Sequence, residues 1–278
     1  GQVERGCAGG GVGMSGRLII EDCVNALPTL EAGSAQLSVT SPPYDSLRTY
    51  GGIKPFAWAD FEVVAKELYR VLCDGGVLCW NVGDSVVDGS ETLTSAKQKI
   101  FFRERCGFRI HDTMIYEKLG SFNPDNSRYC QVFEYVYVLS KGAPRAFNPI
   151  ADRKNKWAGL APFGKKTVRN ADDSIQNRTT YLTEEFGKRT NVWQGKTASQ
   201  EQVCEALDHP ATMPFWLARD LIQSWSNPGD TILDPFFGSG TTGKAAELLG
   251  RKWIGIELNP AYANLAADCT AQQGLVLV

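Results

Sequence analysis

From Arg17 onward the chain alternates short apolar runs with stretches of helical period. "RLIIED" reads as a strand, "VNALPTL" as a short helix, and "AQLSVT" as a second strand that runs into two prolines. Residues 57 to 72 place Phe61, Val64, Ala65, Leu68, Val71 and Leu72 on one helical face, with Gly75 and Gly76 as the stop. "VLCWNV" follows as a buried strand, a helix over Ser95 to Cys106 leads to the strand "DTMIYEKL", and "EYVYVLSK" alternates like a further strand. The rhythm fades after about Pro144. It resumes near His209 with the helix "FWLARDLIQSW", the strand "TILD", the helix "GKAAELLG" and the strand "KWIGIEL". Strands separated by helices of this length predict a parallel sheet with helices on both faces, hence one α/β domain interrupted by an insertion. Residues 1 to 16 hold seven glycines and no periodicity, and read as a flexible extension.

Composition narrows this picture only a little. A chain of 278 residues is long enough for one large domain or two smaller ones. No apolar run approaches the roughly 18 to 20 residues of a membrane span, and the first residues carry no secretory core segment, so the expected compartment is the cytoplasm. Cys7, Cys23, Cys73, Cys79, Cys106, Cys130, Cys204 and Cys269 are scattered singly, with no CxxC pair, and are expected to be reduced thiols. His111 and His209 fall in no metal-binding pattern, so no metal site is expected. The net charge of −2 hides an asymmetry: residues 150 to 200 hold ten Lys or Arg against five acids, a balance of +5 beside −7 for the remainder. By itself that is a solvated face; it gains meaning only if the rest of the chain asks for a polyanion.

Two segments carry chemistry. "TSPPYDSLRTY", residues 40 to 50, sets a rigid double proline directly after an apolar run, where neither strand nor helix tolerates it. "DTILDPFFGSGTTGKAAELLGRKWIGIELN" ends one strand at Asp234, opens a helix with a turn containing Gly238, Gly240 and Gly243, and ends a second strand at Glu257. Such glycines admit a ligand close to the backbone, and an acid at the second strand's end can accept from two ribose hydroxyls. The spacing Gly238-x-Gly240-x-x-Gly243, with an acid 19 residues after Gly238, also fits the dinucleotide fingerprint. However, Asp234 puts a carboxylate where a pyrophosphate would sit, which suits a cationic or amine-bearing ligand better. A dinucleotide fold would also need several further strand and helix units after Glu257.

Taken together, "TSPPY" and "DPFFGSGTT…AAELLGRKWIGIELNPAY" resemble the DNA methyltransferases that act on exocyclic amino groups, in the motif order of their β class. The resemblance covers about residues 17 to 145 and 206 to 265 and includes "DHPATMPFWLARDLI". It implies a circularly permuted Rossmann-like methyltransferase fold, a doubly wound, mostly parallel sheet with an inserted target-recognition region. The expected organisation is a flexible extension (1–16), a catalytic half (17–145), a target-recognition insertion (146–205) and a cofactor half (206–278). The implied cofactor is S-adenosylmethionine, with S-adenosylhomocysteine as product. Asp234, Pro235, Phe236, Gly238, Gly240, Thr241 and Thr242 would surround its methionine part, and Thr212 and Met213 would close that end. Glu257, with Leu258 beside it, would bind the ribose; Asp22, with Cys23 beside it, would reach the adenine amino group. The family more often has Gly before that aspartate, where this chain has Glu21.

The same resemblance gives the double proline a purpose. An amino nitrogen on a base is a weak nucleophile because its lone pair is delocalised into the ring, and acceptors for its two hydrogens favour the pyramidal, attacking form. Pro42 and Pro43 would lock the backbone so that the Ser41 hydroxyl and the Pro42 carbonyl meet one amine, while Tyr44 stacks on the flipped base. Ser before the prolines goes mostly with cytosine N4, and Asp or Asn mostly with adenine, so the reading is an N4-cytosine methyltransferase with an N6-adenine enzyme as the alternative. RNA or protein-glutamine methylation and a catalytically silent module are more distant readings. Cytosine C5 chemistry needs a thiolate, usually in a Pro-Cys pair, and no cysteine here follows a proline. The implied partner is double-stranded DNA at the nucleoid; a cognate restriction endonuclease and a homodimer are left open. Arg48 is the candidate phosphate contact beside the target pocket. Lys165, Lys166, Arg169 and Arg189 are the candidates in the basic segment, among the aromatics Trp157, Phe163, Tyr181, Phe186 and Trp193.

Overall fold

The structure, a computed structural model, describes residues 16–43, 56–120, 126–160, 167–177, 182–201 and 213–271. They fall into two compact units: a main one that runs to Asn148 and resumes at Asn191, and a second over Pro149–Thr190.

The main unit is built on one sheet whose strands are, in chain order, β1 (Gly16–Ile20), β2 (Ala35–Thr40), β3 (Leu72–Val82), β4 (Arg109–Lys118), β5 (Phe133–Ser140), β6 (Val192–Gly195), β7 (Thr231–Asp234) and β8 (Lys252–Glu257). They lie side by side as β1-β8-β7-β2-β3-β5-β4-β6. Of these eight, β5 runs against both neighbours, and every other pairing is parallel. Parallel neighbours need crossovers, and helices supply them: α1 (Cys23–Ala26), α2 (Trp58–Val71), α3 (Thr94–Phe101), α4 (Phe215–Trp225) and α5 (Thr241–Leu248), while α6 (Pro260–Ala271) follows the last strand.

The stripe read from sequence is the stripe α2 buries. Phe61, Val64, Ala65 and Leu68 pack with Leu78, Trp80, Leu233 and Ile256 of the sheet, each at most 1% exposed. Burying a side chain such as Val, Leu or Phe contributes roughly 1.5–3 kcal/mol relative to leaving it exposed, which outweighs the lack of a strong N-cap at Ala57. Helix α2 ends one residue before the expected stop: Leu72 turns directly into β3, and Gly75 and Gly76 lie within that strand. Leu72 is buried in either conformation, so periodicity cannot place the boundary. The opposite face carries α4, α5 and α6. There Gly255 of β8 admits the Phe237 ring, since a Cβ at this glycine would lie 2.4 Å from the ring, and Phe237 also stacks on Trp253.

Three details differ from the sequence reading. The helix over Ser95 to Cys106 is α-helical only to Phe101 and continues as a π-helix over Phe102–Cys106. Strand β6 was not expected, because its four residues stand alone in a stretch without regular spacing. It pairs with β4 and buries Trp193 beside Trp216, so Trp193 is a core residue and the compact inserted unit is narrower than residues 146–205. Cys23, Cys73, Cys79, Cys106 and Cys130 are free thiols, but Cys269 is disulfide-bonded, contrary to the expectation of reduced cysteines throughout.

The second unit has short antiparallel pairings, Thr167–Arg169 with Ile175–Asn177 and Arg153–Lys154 with Phe186–Gly187. Arg189 Nε donates to both Asp152 oxygens, at 2.9 and 2.8 Å, and holds that carboxyl below the usual range. Trp157, Leu160, Leu182 and Phe186 remain exposed. Among the described residues, no helix is long and apolar enough to cross a membrane, and no group of three or more His, Cys, Asp or Glu could hold a metal ion.

Candidate active site

Because β1, β8, β7, β2 and β3 are parallel neighbours, their carboxyl ends form one rim. Asp22, Glu257, Asp234, Ser41 and Asn81 stand along it in that order, each at or near the end of its strand. Crossovers leave in opposite directions from β7 and β2, so the switch point of the sheet falls between these two strands, where ligands of doubly wound sheets collect.

The two sequence motifs meet at that point. Ile232 and Leu233 pair with Leu37 and Ser38, and Thr40 Oγ1 donates to Asp234 Oδ1 at 2.6 Å across 194 residues of chain. Asp234 also accepts from the Phe236 amide at 3.0 Å and from Thr242 in the first turn of α5. Its carboxyl is buried, which pushes its pKa up, and these hydrogen bonds oppose the rise. One buried carboxylate thus joins the strand that leads to Ser41 to the turn that opens α5. Beyond Thr40, Pro42 is buried while Ser41 and Pro43 are half-buried.

The glycine turn is held from below by Glu257. Its Oε2 accepts from the Gly238 amide and its Oε1 from the Asn259 amide, both at 2.8 Å. Burial raises its pKa, and the amide bonds counter that. Gly240 caps α5 in the left-handed region at φ +83°, and a Cβ there would lie 3.0 Å from Ala266 Cα, so the turn tolerates no side chain at this position. Thr241 and Thr242 follow, both buried. Phe236 turns to the other face and meets Phe56 edge-on at 5.1 Å.

At the far end of the rim, Ile20 pairs with Glu257, and the Glu21 amide donates to the Glu257 carbonyl at 3.1 Å. This sets Asp22 beside the Glu257 strand end, where its Oδ1 caps α1 by accepting from the Val24 amide at 3.0 Å. Cys23 is buried, and burial pushes its thiol up, so it stays neutral. Pro235 is buried, Met213 half-buried and Leu258 exposed. Tyr44, Arg48, Lys165, Lys166 and Thr212 lie outside the described residues; Arg169 is described in its backbone, within the Thr167–Arg169 strand.

Sequence reasoning passed over Thr40 and Asn81. The signal for Thr40 was present, since it is the polar residue that closes β2 directly before Ser41 and the double proline, whereas Asn81 lies inside β3 and beside no motif.

Fold and rim together define a Rossmann-like sheet with two buried strand-end carboxylates and a glycine turn at its switch point. The family follows from comparison: the chain belongs to the DNA methylases of the N6/N4 type, whose family model matches residues 35–268, and is therefore a DNA methyltransferase. It is 47% identical over 235 residues to the orphan methyltransferase M.BamHII of Bacillus amyloliquefaciens, covering 84% of this chain and 87% of that protein. The PvuII DNA methyltransferase (cytosine-N4-specific) superposes with a TM-score of 0.65 at 19% identity, over 94% of this chain and 88% of that one. The complex of M1.HpyAVI with S-adenosylmethionine superposes with a TM-score of 0.60 at 22% identity, over 92% of this chain and all of that one. At these identities the two structures establish the shared fold.

Proposed function

We propose that the protein transfers a methyl group from S-adenosylmethionine to the exocyclic N4 of a cytosine flipped out of duplex DNA. The observation that carries this reading is the Thr40–Asp234 hydrogen bond at 2.6 Å, which fixes the Ser41-Pro42-Pro43 strand end against the glycine turn.

The rim residues fit the cofactor. Each Glu257 oxygen already takes one amide hydrogen and keeps a lone pair, enough for two ribose hydroxyls. Leu258 stands beside Glu257, and Asp22, at the next strand end, is assigned to the adenine amino group with Cys23 beside it. The turn from Asp234 through Pro235, Phe236, Gly238, Gly240, Thr241 and Thr242 serves the methionine part, with Met213 and Thr212 closing it. S-adenosylmethionine supplies an electrophilic methyl group on a sulfonium, and a negative Asp234 near that end favours the positive ligand. Ser41 and the Pro42 carbonyl accept the hydrogens of the target amine and orient it. Tyr44 holds the flipped base by stacking, which is worth about 1–3 kcal/mol. No strong base is required, because the nitrogen's proton becomes acidic once it is alkylated and passes to solvent. Ser41 before the prolines supports cytosine as the base. The likeness to an orphan methyltransferase favours an enzyme that works without a dedicated endonuclease.

The second unit is assigned to DNA recognition. It combines Lys165, Lys166 and Arg169 with exposed Trp157 and Phe186, while Arg189, already paired with Asp152, closes the unit upon itself. Arg48 is assigned to a phosphate contact, as the sequence reading has it. Replacing Lys165, Lys166 and Arg169 together by alanine is expected to weaken binding to all DNA sequences and to flatten the salt dependence by about 0.9 in log–log slope for each phosphate no longer neutralised. Titration of labelled duplex across a salt series measures this; an unchanged affinity and slope would remove the three residues from the interface. Transfer of labelled methyl groups to duplex DNA, against RNA and protein acceptors, tests the substrate class itself.

A further inference from the structure

We propose that Tyr129, carried on the rim beside a hairpin that follows β3, stacks into the duplex in the place the target base leaves. The inference rests on the base flipping proposed above and adds the residue that fills the gap.

The rim divides at β2. On one side stand β7, β8 and β1, with Asp234, Glu257 and Asp22, the groups assigned to the cofactor. A base presented to Ser41 therefore leaves the other side, β3, β5 and β4, to receive the duplex it came from. β3 runs parallel to β2 and reaches the rim at Val82. β5 runs the opposite way, so its first residues and those just before them stand at the same rim. The Lys118 amide donates to the Val132 carbonyl at 2.7 Å, which ties the approach to β5 to the end of β4. Neighbouring strands lie about 4.8 Å apart, so β5 starts roughly 10 Å from the strand that leads to Ser41.

Tyr129 stands on this approach and is 100% exposed, whereas the next most exposed large apolar side chains among the described residues, Ile175 and Leu182, are at 65%. A ring left wholly in water gains from any partner that covers it. Its position is set by its neighbour: Arg128 Nη2 donates to the Gly89 carbonyl at 2.6 Å and fastens the loop to the hairpin in which Val86–Val87 pairs with Ser90–Glu91. Thr92 closes the base of that hairpin, its amide donating to the Ser85 carbonyl at 3.0 Å and its hydroxyl accepting from the Ser85 amide at 3.3 Å. Leu93 follows in the left-handed region at φ +56°, a conformation rare for leucine and one that clusters at functional sites.

The chemistry of this edge selects its ligand. Val86, Val87 and Leu93 are exposed with Tyr129, and the hairpin's own charges are the exposed acids Asp88 and Glu91. Acids repel phosphates, so the contact this edge offers a duplex is apolar and aromatic, which suits bases rather than backbone. Extrusion of a base leaves two neighbouring faces unstacked. An aromatic ring between them restores stacking, and a tyrosine has only two torsions to fix.

The test is labelled methyl transfer by the full-length protein to duplex oligonucleotides carrying the sequence in which the wild type places its methyl group, mapped first on plasmid DNA. Tyr129→Ala should lower kcat/KM about tenfold on a paired target, the worth of one stacked base, and Tyr129→Phe should retain most of the wild-type value. With the target base mispaired, extrusion costs less, and the alanine variant's loss should shrink to about twofold or less. Cofactor affinity and the salt dependence of DNA binding should stay as in the wild type, because no phosphate contact is removed. Equal losses on paired and mispaired targets, no loss on either, a flattened salt slope, or a phenylalanine variant as impaired as the alanine one would overturn the inference. A wild type that labels no base amine would sink the proposed function and this inference with it, a result read in the mapping step before any variant is compared.

Discussion

Asp234→Ala is expected to abolish methyl transfer and to lower the melting temperature together, whereas Asp234→Asn should keep the fold and lose cofactor affinity. Alanine leaves the Thr40 hydroxyl, the Phe236 amide and Thr242 without their shared acceptor. Each buried group left unsatisfied costs about 1–3 kcal/mol, and each kcal/mol shifts the melting temperature of a domain this size by roughly 2–4 °C. The seam between β7 and β2 is then no longer fixed where both motifs must meet. Asparagine retains an acceptor oxygen and removes a charge whose burial is unfavourable, so stability should hold. The attraction for a cationic ligand disappears with the charge. Scanning calorimetry and titration with S-adenosylmethionine separate the two effects. An Asp234→Asn variant with undiminished affinity would confine Asp234 to a structural role.

Glu257→Ala should weaken cofactor binding by roughly 1.5–3 kcal/mol, the usual worth of hydrogen bonds to a charged group, or from about tenfold to more than a hundredfold in Kd. The turn itself also loses a support, since Glu257 takes the Gly238 amide. The pH dependence has a defined sign. Burial raises the Glu257 pKa, so its accepting form disappears as pH falls through a range above the usual value of about 4.3 for glutamate. Cofactor affinity should fall with it. A raised carboxyl pKa means that the folded chain binds this proton more readily than the unfolded chain. The group's own contribution to stability is therefore present at low pH and lost as pH rises through the folded value. Binding and stability should move in opposite directions with pH, and the Glu257→Ala variant should show less of both trends. Titration calorimetry and thermal melts over the same pH series check the pair.

The main sheet was legible because its strands and helices are long and their periods unambiguous: α2 and α4 fall where the apolar stripes place them, and β7 and β8 end at the two acids the motif required. The missed elements lack that redundancy. β6 is four residues held by its pairing with β4, and no local pattern distinguishes "VWQG" from a loop. The direction of β5 is invisible in an alternating sequence, since alternation reports faces and not polarity. At the site, the strand-end acids could be read one by one, but not the fact that Thr40 bridges to Asp234. That hydrogen bond depends on strand order, which no motif spacing encodes. The hydrogen bond from Asn81 to Glu134 was hidden for the same reason, since the two are 53 residues apart and meet across the sheet.

The most direct test is the identity of the methylated base. Duplex DNA methylated by the purified protein with labelled S-adenosylmethionine should, after digestion to nucleosides and mass spectrometry, carry the label in N4-methylcytosine, and Ser41→Ala should reduce that peak while leaving cofactor binding intact. Label found only in N6-methyladenine, or in 5-methylcytosine, would contradict the assignment of Ser41-Pro42-Pro43 to a cytosine amine.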